Sequence, residues 1–252
     1  MWGGQVGGEW EHKIQVDLIR FGRQSRNRDC IRGANKAGML PPAYPKIYHI
    51  LHVDRLPSVV ASGGLLPDTQ MNGRNGHGTV IGMNDLKAHR LNRPVDGHDG
   101  LTVGGCVPFY FCSKSMMLYV IHKANHASLA YRGGQRPIVH LEADMRAVVE
   151  WANGQGRRWA FTLGNASANY AEFRTSFAGL GDVNWQAVLG SDFSTPATKD
   201  AKQAEFLLEG GFPWSLIERV GVIDNVVAAQ VADAMHSAAH RPQVEVKRGW
   251  YY

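Results

Sequence analysis

The side chain best set to do chemistry is the carboxylate of Glu205. It stands in Lys202-Gln203-Ala204-Glu205-Phe206-Leu207-Leu208, a short apolar run closed by Gly210-Gly211. Such a run, bounded by turn residues, fits a strand covered on both faces. The polar segment 191–200 before it is broken by Pro196 and fits a loop. A loop that delivers one carboxylate at the start of a core strand is an arrangement used by enzymes. An ion pair with Lys202 or another cation is the competing use of Glu205, and the stretch by itself leaves both open.

Other reactive side chains are less sharply placed. Lys114 follows the apolar run Val107-Pro108-Phe109-Tyr110-Phe111-Cys112, inside Ser113-Lys114-Ser115. A cation just past a strand end suits a site, and a solvated turn lysine is the commoner use. His49 and His52 have opposite parity in Ile47-Tyr48-His49-Ile50-Leu51-His52-Val53, so they face opposite sides of one strand. A core histidine is more often structural than catalytic. His122 and His126 have helical i, i+4 spacing, but no glutamate follows His122 and no third ligand stands out, so no metal is expected. The Gly- and Asn-rich segment 71–78, with Arg74, offers backbone N–H groups to a phosphate. It lacks the strand-to-helix setting of a phosphate or dinucleotide loop, so an ordinary loop is expected.

The elements that must carry these residues alternate irregularly. Strands are expected over 47–53, 107–112, 138–141, 159–163, 202–208, 219–223 and 243–247. Helices are expected over 54–61 with Asp54 as cap, over 81–91 with Lys87 and Arg90 outside, and over 116–121. Further helices are expected over 145–152 with Asp144 as cap, over 185–189 and over 226–239. Tyr170, Phe173 and Phe177 form an aromatic stripe at helical spacing. Several connections are too short for a crossover helix, which favours a mixed or antiparallel α+β layer structure over a doubly wound sheet.

The totals bound the class. The 252 residues are 44% hydrophobic and 19% charged, an ordinary globular balance. No apolar run reaches the length of a membrane span, and the first twenty residues lack the apolar core of a signal peptide. Cys30, Cys106 and Cys112 show neither metal spacing nor a paired framework, which fits a reducing cytoplasm. The net charge of +5 is local: 20–36 holds six basic residues and one acid, while the other 21 basic and 21 acidic residues cancel. Such an arm tracks phosphates or serves as a flexible leader. The expected organisation is a basic, partly disordered arm over 1–45 and one domain over 46–252.

Four blocks in order resemble the DarT family, the toxins of bacterial DarT–DarG toxin–antitoxin pairs. They are Ile47 to Pro57, Val107 to Phe111 with Lys114-Ser115-Met116-Met117-Leu118-Tyr119, Lys202 to Leu208, and the final Trp250-Tyr251-Tyr252. The resemblance implies an ADP-ribosyltransferase fold with a split, mainly antiparallel β core. It implies transfer of ADP-ribose from NAD⁺ as co-substrate onto a base of single-stranded DNA, thymine being favoured and guanine the other family choice. The implied partner is a DarG-like macrodomain antitoxin, and a cytoplasmic monomer is expected. By the same resemblance Glu205 matches the catalytic glutamate, and His49, with Tyr48 and Leu51 beside it, the NAD-holding strand. Lys114 falls where the family commonly has arginine, in Lys-Ser-Met-Met instead of Arg-Ser-Pro-Met. The loop 190–201 matches the substrate-side loop, which puts Phe193 on the DNA side; Asn165 and Ser167 sit in a loop of similar placement.

The chemistry explains the residue types. Breaking the nicotinamide–ribose bond leaves an oxocarbenium-like sugar, which a fixed carboxylate near the 2′-hydroxyl stabilises. Glu209 lies about 13 Å further along the strand and cannot substitute. A cation or base must help with the proton of the accepting nitrogen, and Lys114 is the expected group, either there or as a phosphate clamp that binds NAD⁺. An unpaired base needs no extraction from a stack, and Phe193, in a polar loop, is the expected stacking ring. Transfer to RNA or protein, and an inactive NAD- or nucleic-acid-binding module, are the alternatives.

Overall fold

The computed structural model describes residues 39–71 and 78–252. The basic segment 20–36, the short helix expected near 14–21 and most of the Gly- and Asn-rich segment therefore lie outside the described residues.

Among the described residues, ten strands form two sheets. They are β1 (Lys46–His52), β2 (Gly64–Leu65), β3 (Cys106–Tyr110), β4 (Ile138–Asp144), β5 (Trp159–Asn165), β6 (Phe173–Arg174), β7 (Ala204–Glu209), β8 (Phe212–Pro213), β9 (Arg219–Val222) and β10 (Gln243–Val246). The helices are α1 (Leu56–Ala61), α2 (Asp68–Met71), α3 (Asn84–Asn92), α4 (Met116–Lys123), α5 (Met145–Gly154), α6 (Trp185–Leu189), α7 (Pro196–Ala201) and α8 (Asn225–Ala234), with short 3-10 turns between. The main sheet has eight strands in the order β10-β9-β4-β1-β3-β7-β5-β6, and β2 pairs only with β8.

The main sheet is split near its middle. β1 and β4 match along seven residue pairs and β3 and β7 along five, but β1 and β3 meet only at Tyr48 and Tyr110. Every pairing is antiparallel except β9 with β10. Past Tyr48, β1 has no strand paired to its β3-facing edge among the described residues.

Cross-strand partners share a face, so the register sorts the side chains. One face carries Ile47, Leu51, Phe109, Phe206, Leu208, Leu141 and Val220, all in the main core. It is covered by α5 through Met145, Val148 and Val149, by α6 through Trp185 and Val188, and by α8 through Val227 and Val231. The other face carries Tyr48, Tyr110 and Glu205. Two smaller clusters flank them: one around Ile50, Leu118, Ile121 and Tyr251, the other around Val103, Cys106, Ala160 and Leu207. The carboxylate thus stands between two satellite cores, not inside the main one.

Several local expectations change. Asp54 does not cap the helix after β1; its carboxylate accepts from Thr79 N at 2.9 Å and from Thr79 Oγ1 at 2.7 Å. The cap of the preceding turn is the His52 ring, and α1 starts with Pro57 in its first turn. The 170–177 stripe is not helical: Phe173 pairs with Thr162 in β6, because strand pairing outweighs a weak periodic signal in so short a segment. The loop 191–200 holds α7, whose cap Thr195 accepts from Thr198 N, with Pro196 at the first position, where proline is pre-organised.

His140 is fully buried on the split-sheet face, packed edge-on by Trp250 and Tyr251. Its Nε2 meets the Ser113 carbonyl at 3.0 Å, while Nδ1 has no partner among the described residues. Burial lowers its pKa to about 4, partly offset by the Ser113 bond. A folded pKa below the unfolded value of about 6.5 means the unfolded chain takes up the proton first, so stability is complete above that value. It is lost as pH falls toward 4, by up to about 3 kcal/mol. Urea midpoints measured across this range are expected to fall steeply in the parent and more shallowly in His140→Gln; equal slopes would refute the assignment.

Candidate active site

Glu205 is fixed through its backbone first. The β5–β7 ladder shifts register between Phe161 and Asn165, so a ladder partner is missing there. The hydroxyl of Thr162 fills the gap: it accepts from Glu205 N at 3.0 Å and donates to the Gly164 carbonyl at 2.7 Å. A bulge of this kind re-aims a side chain beside a site. The Glu205 side chain is 5% exposed.

The cation that reaches it is Arg90, on α3. Nη1 donates to Oε1 at 3.1 Å and Nη2 to Oε2 at 2.8 Å, a two-pronged pair with the arginine side chain 13% exposed. Burial acts to lower the Arg90 pKa, but the charge and hydrogen bonds of Glu205 outweigh it and the pKa ends above its ordinary value. Arg90 therefore stays charged. α3 has no fully buried residue of its own. It is brought close by Gly104, where an added Cβ would stand 2.7 Å from Leu91 Cα. Tyr110 lies across the ladder from Glu205, and burial followed by the Glu205 charge raises its phenol pKa.

His49 stands at the split. Its ring projects on the Phe109 side, 5.5 Å from that ring, and Nδ1 meets the Pro108 carbonyl at 2.8 Å. It thereby bridges the gap that opens after Tyr48. Burial lowers its pKa, so the ring is neutral and Nδ1 carries the proton it donates to Pro108.

A second group of side chains is aromatic and basic. Tyr119 and Phe193 stack at 5.2 Å with planes 11° apart, and Tyr252 meets both edge-on at 5.2 and 5.6 Å. The Lys114 ammonium lies 5.5 Å from the Tyr252 ring centre, and that of Lys202 lies 4.6 Å from the Phe193 ring centre. A cavity of about 350 Å³ on the α3 flank is lined by Ala88, His89, Asn92, Arg93, Pro94 and Asn169; Glu205 is not part of it.

With this geometry in hand, likeness to known proteins decides the family. Residues 48–252 match the family model described as DarT, ssDNA thymidine ADP-ribosyltransferase. The chain belongs to the DarT family. It is 36% identical over 222 residues to a DNA ADP-ribosyl transferase of Thermus aquaticus, covering 85% of this chain and 92% of that one. It is 28% identical over 222 residues to one of Escherichia coli, covering 84% and 96%. Its fold matches solved Thermus sp. 2.9 DarT in complex with ADP-ribosylated ssDNA, with TM-score 0.77 and 31% identity over 85% of this chain and all of that one. The same protein in complex with NAD⁺ matches with TM-score 0.72 and 30% identity over 84% of this chain and all of that one. The split, mainly antiparallel core with flanking helices is thus the ADP-ribosyltransferase fold of this family.

The expected site residues separate into groups. Glu205 occupies the strand start foreseen for it, with Tyr110 across the ladder from it. Lys114 is not the cation on the carboxylate; that is Arg90, which lies 115 positions from Glu205 and was expected on the outside of its helix. A lone arginine at the end of a polar helix gives no sequence signal of its target. Lys202 does not pair with Glu205 either, since its ammonium donates to the Val188 and Gly190 carbonyls. Tyr48 and Leu51 are committed elsewhere: the Tyr48 hydroxyl donates to Glu142 at 3.0 Å, and Leu51 packs in the main core, 4% exposed. Asn165 Oδ1 accepts from Ser167 N at 2.9 Å, a local turn beside the β7 start. His126 accepts from Ser128 N, and among the described residues no three His, Cys, Asp or Glu are placed to hold a metal. Glu209 is held by Arg158, which draws its pKa down to about 2.

Proposed function

We propose that this chain transfers ADP-ribose from NAD⁺ onto thymine in single-stranded DNA. The observation that carries the reading is the Glu205 carboxylate, gripped by Arg90 at the split of the sheet. The ssDNA and NAD⁺ complexes of the Thermus sp. 2.9 protein support it.

NAD⁺ fits the split. The unpaired edge of β1 past Tyr48 offers main-chain groups to a carboxamide, and neutral His49 adds no charge against a cationic nicotinamide ring. Asn165 and Ser167 border the β7 start from the side of β5. Glu205 faces the ribose, orients its 2′-hydroxyl and stabilises positive charge as the glycosidic bond breaks. Nicotinamide leaves neutral, keeping the electron pair of the broken bond. In a thymidine unit N1 carries the sugar, so N3 is the only ring nitrogen left to attack. The new bond joins N3 to the ribose C1′, and the N3 proton is lost. Arginine stays charged at any working pH, so Arg90 balances the imide anion, and the carboxylate beside it accepts the proton.

Lys114 is assigned to the DNA side, with Tyr252 and Phe193. A phosphate contact of this kind changes binding more than turnover. Lys114→Ala is expected to raise KM for a single-stranded oligonucleotide about fivefold with kcat little changed. Loss of kcat instead would return Lys114 to the catalytic group.

The proposed unit is the domain 46–252 with a basic arm before it, acting as a cytoplasmic monomer. None of the helices among the described residues is long and apolar enough to cross a membrane. The proposed partner is a DarG-like macrodomain that removes the mark. Thermosipho africanus DarTG, in complex with ADP-ribose, shares the fold with TM-score 0.63 at 15% identity; this chain spans 51% of it. Oligonucleotides lacking one base at a time, incubated with labelled NAD⁺, test base choice: label is expected wherever thymine is present and nowhere else. Label confined to guanine-containing strands would overturn thymine, and label on RNA or protein alone would overturn DNA.

A further inference from the structure

Lys202 is an unusual group to bury. Its residue is 1% exposed, yet among the described residues no carboxylate pairs with its ammonium. Nζ donates to the Val188 carbonyl at 3.2 Å and the Gly190 carbonyl at 2.5 Å, and lies 4.6 Å from the centre of the Phe193 ring. Those carbonyls end α6, where acceptors have no partner within the helix and a cation meets the negative end of the helix dipole. Three residues later in the chain comes Glu205. One side chain thus touches the end of α6, the ring of the following loop and the root of the catalytic strand.

The ring it holds belongs to the DNA-side group. Phe193 stacks on Tyr119, and Tyr252 meets it edge-on. An incoming base adds to this stack at Tyr119 or takes its place on Phe193. In either case Phe193 is the ring that must stay still, and among the described residues the hydrogen bonds of 191–195 reach no further than α7: Asp192 with Ser194, and Thr195 with Thr198 and Lys199. A cation under an aromatic face supplies the missing anchor.

We infer that Lys202 is a positioning residue for DNA: from beneath the loop it pins Gly190 and Phe193, so that Phe193 and Tyr119 hold a nucleotide next to Glu205. This rests on the transferase reading above. A mere cap for α6 would lower stability and impair NAD⁺ and DNA use alike, whereas an anchor for Phe193 acts on DNA alone.

The test is steady-state kinetics on the full chain, with a thymine-containing single-stranded oligonucleotide and NAD⁺ varied in turn. Lys202→Met is expected to raise KM for the oligonucleotide about tenfold, leaving KM for NAD⁺ within about twofold. Lys202→Arg, which keeps cation and donors, is expected to restore the parent value. Phe193→Leu is expected to match Lys202→Met, and the double variant to be no worse than either single change, since both remove one contact. Unchanged oligonucleotide KM in Lys202→Met, an equal rise in both KM values, or multiplying effects in the double variant would each overturn the inference. Should Lys202→Met lack a cooperative thermal transition, Lys202→Arg and Phe193→Leu decide: a raised KM in Phe193→Leu with a parental one in Lys202→Arg supports it, and any other pattern overturns it. A parent chain that labels no DNA would instead overturn the transferase reading itself.

Discussion

Glu205→Gln leaves a folded protein that no longer transfers ADP-ribose. The amide keeps the size of the side chain and one acceptor toward Arg90, but loses the charge that faces the developing oxocarbenium ion. Removing preorganised electrostatic stabilisation of this kind lowers kcat by about a thousandfold. KM for NAD⁺ should move little, because the charge matters in the transition state and much less in the ground state. The cost appears also in stability, since Arg90 is left 13% exposed with no counter-charge. Breaking one side of a buried pair costs about 3–5 kcal/mol. Thermal unfolding of Glu205→Gln with and without NAD⁺ separates the two effects. A variant that is melted at assay temperature explains its inactivity trivially; a folded, NAD⁺-binding, inactive one supports the role given to Glu205. A folded Glu205→Gln with parental kcat would remove the carboxylate from the mechanism.

Arg90→Lys has the second-largest expected effect. Lysine keeps the charge but not the planar fork that meets both carboxylate oxygens at 3.1 and 2.8 Å. The expected loss in kcat is about a hundredfold, and larger in Arg90→Ala. Retained kcat in Arg90→Ala would make Arg90 a bystander and reopen the position for Lys114.

What could be read from the residues was the part governed by local rules. The Glu205 strand, the Asp144-capped helix and the antiparallel bias all follow from apolar runs, caps and short connections. The carboxylate proposed as catalytic stood out in the sequence because one acid interrupts a run of core residues. Arg90 was not legible, because its significance comes from a contact across 115 positions made by a helix that buries none of its residues. The split of the sheet was expected from the family resemblance but not from any local rule, since it consists of a ladder that stops after one pair. Thr195-Pro196 did carry a helix-start signal, and the polar composition around it masked α7. The His49 contact with Pro108 shows the same limit, since strand parity tells which side a ring leaves from and not that a sheet opens beside it.

The most direct test of the central claim is mass spectrometry of single-stranded oligonucleotides after incubation with NAD⁺ and either the parent chain or Glu205→Gln. One ADP-ribose adduct per reactive thymine is expected with the parent, with none on thymine-free strands and none with Glu205→Gln. Adducts that form equally well with Glu205→Gln, or that appear only on protein or RNA, would contradict the account.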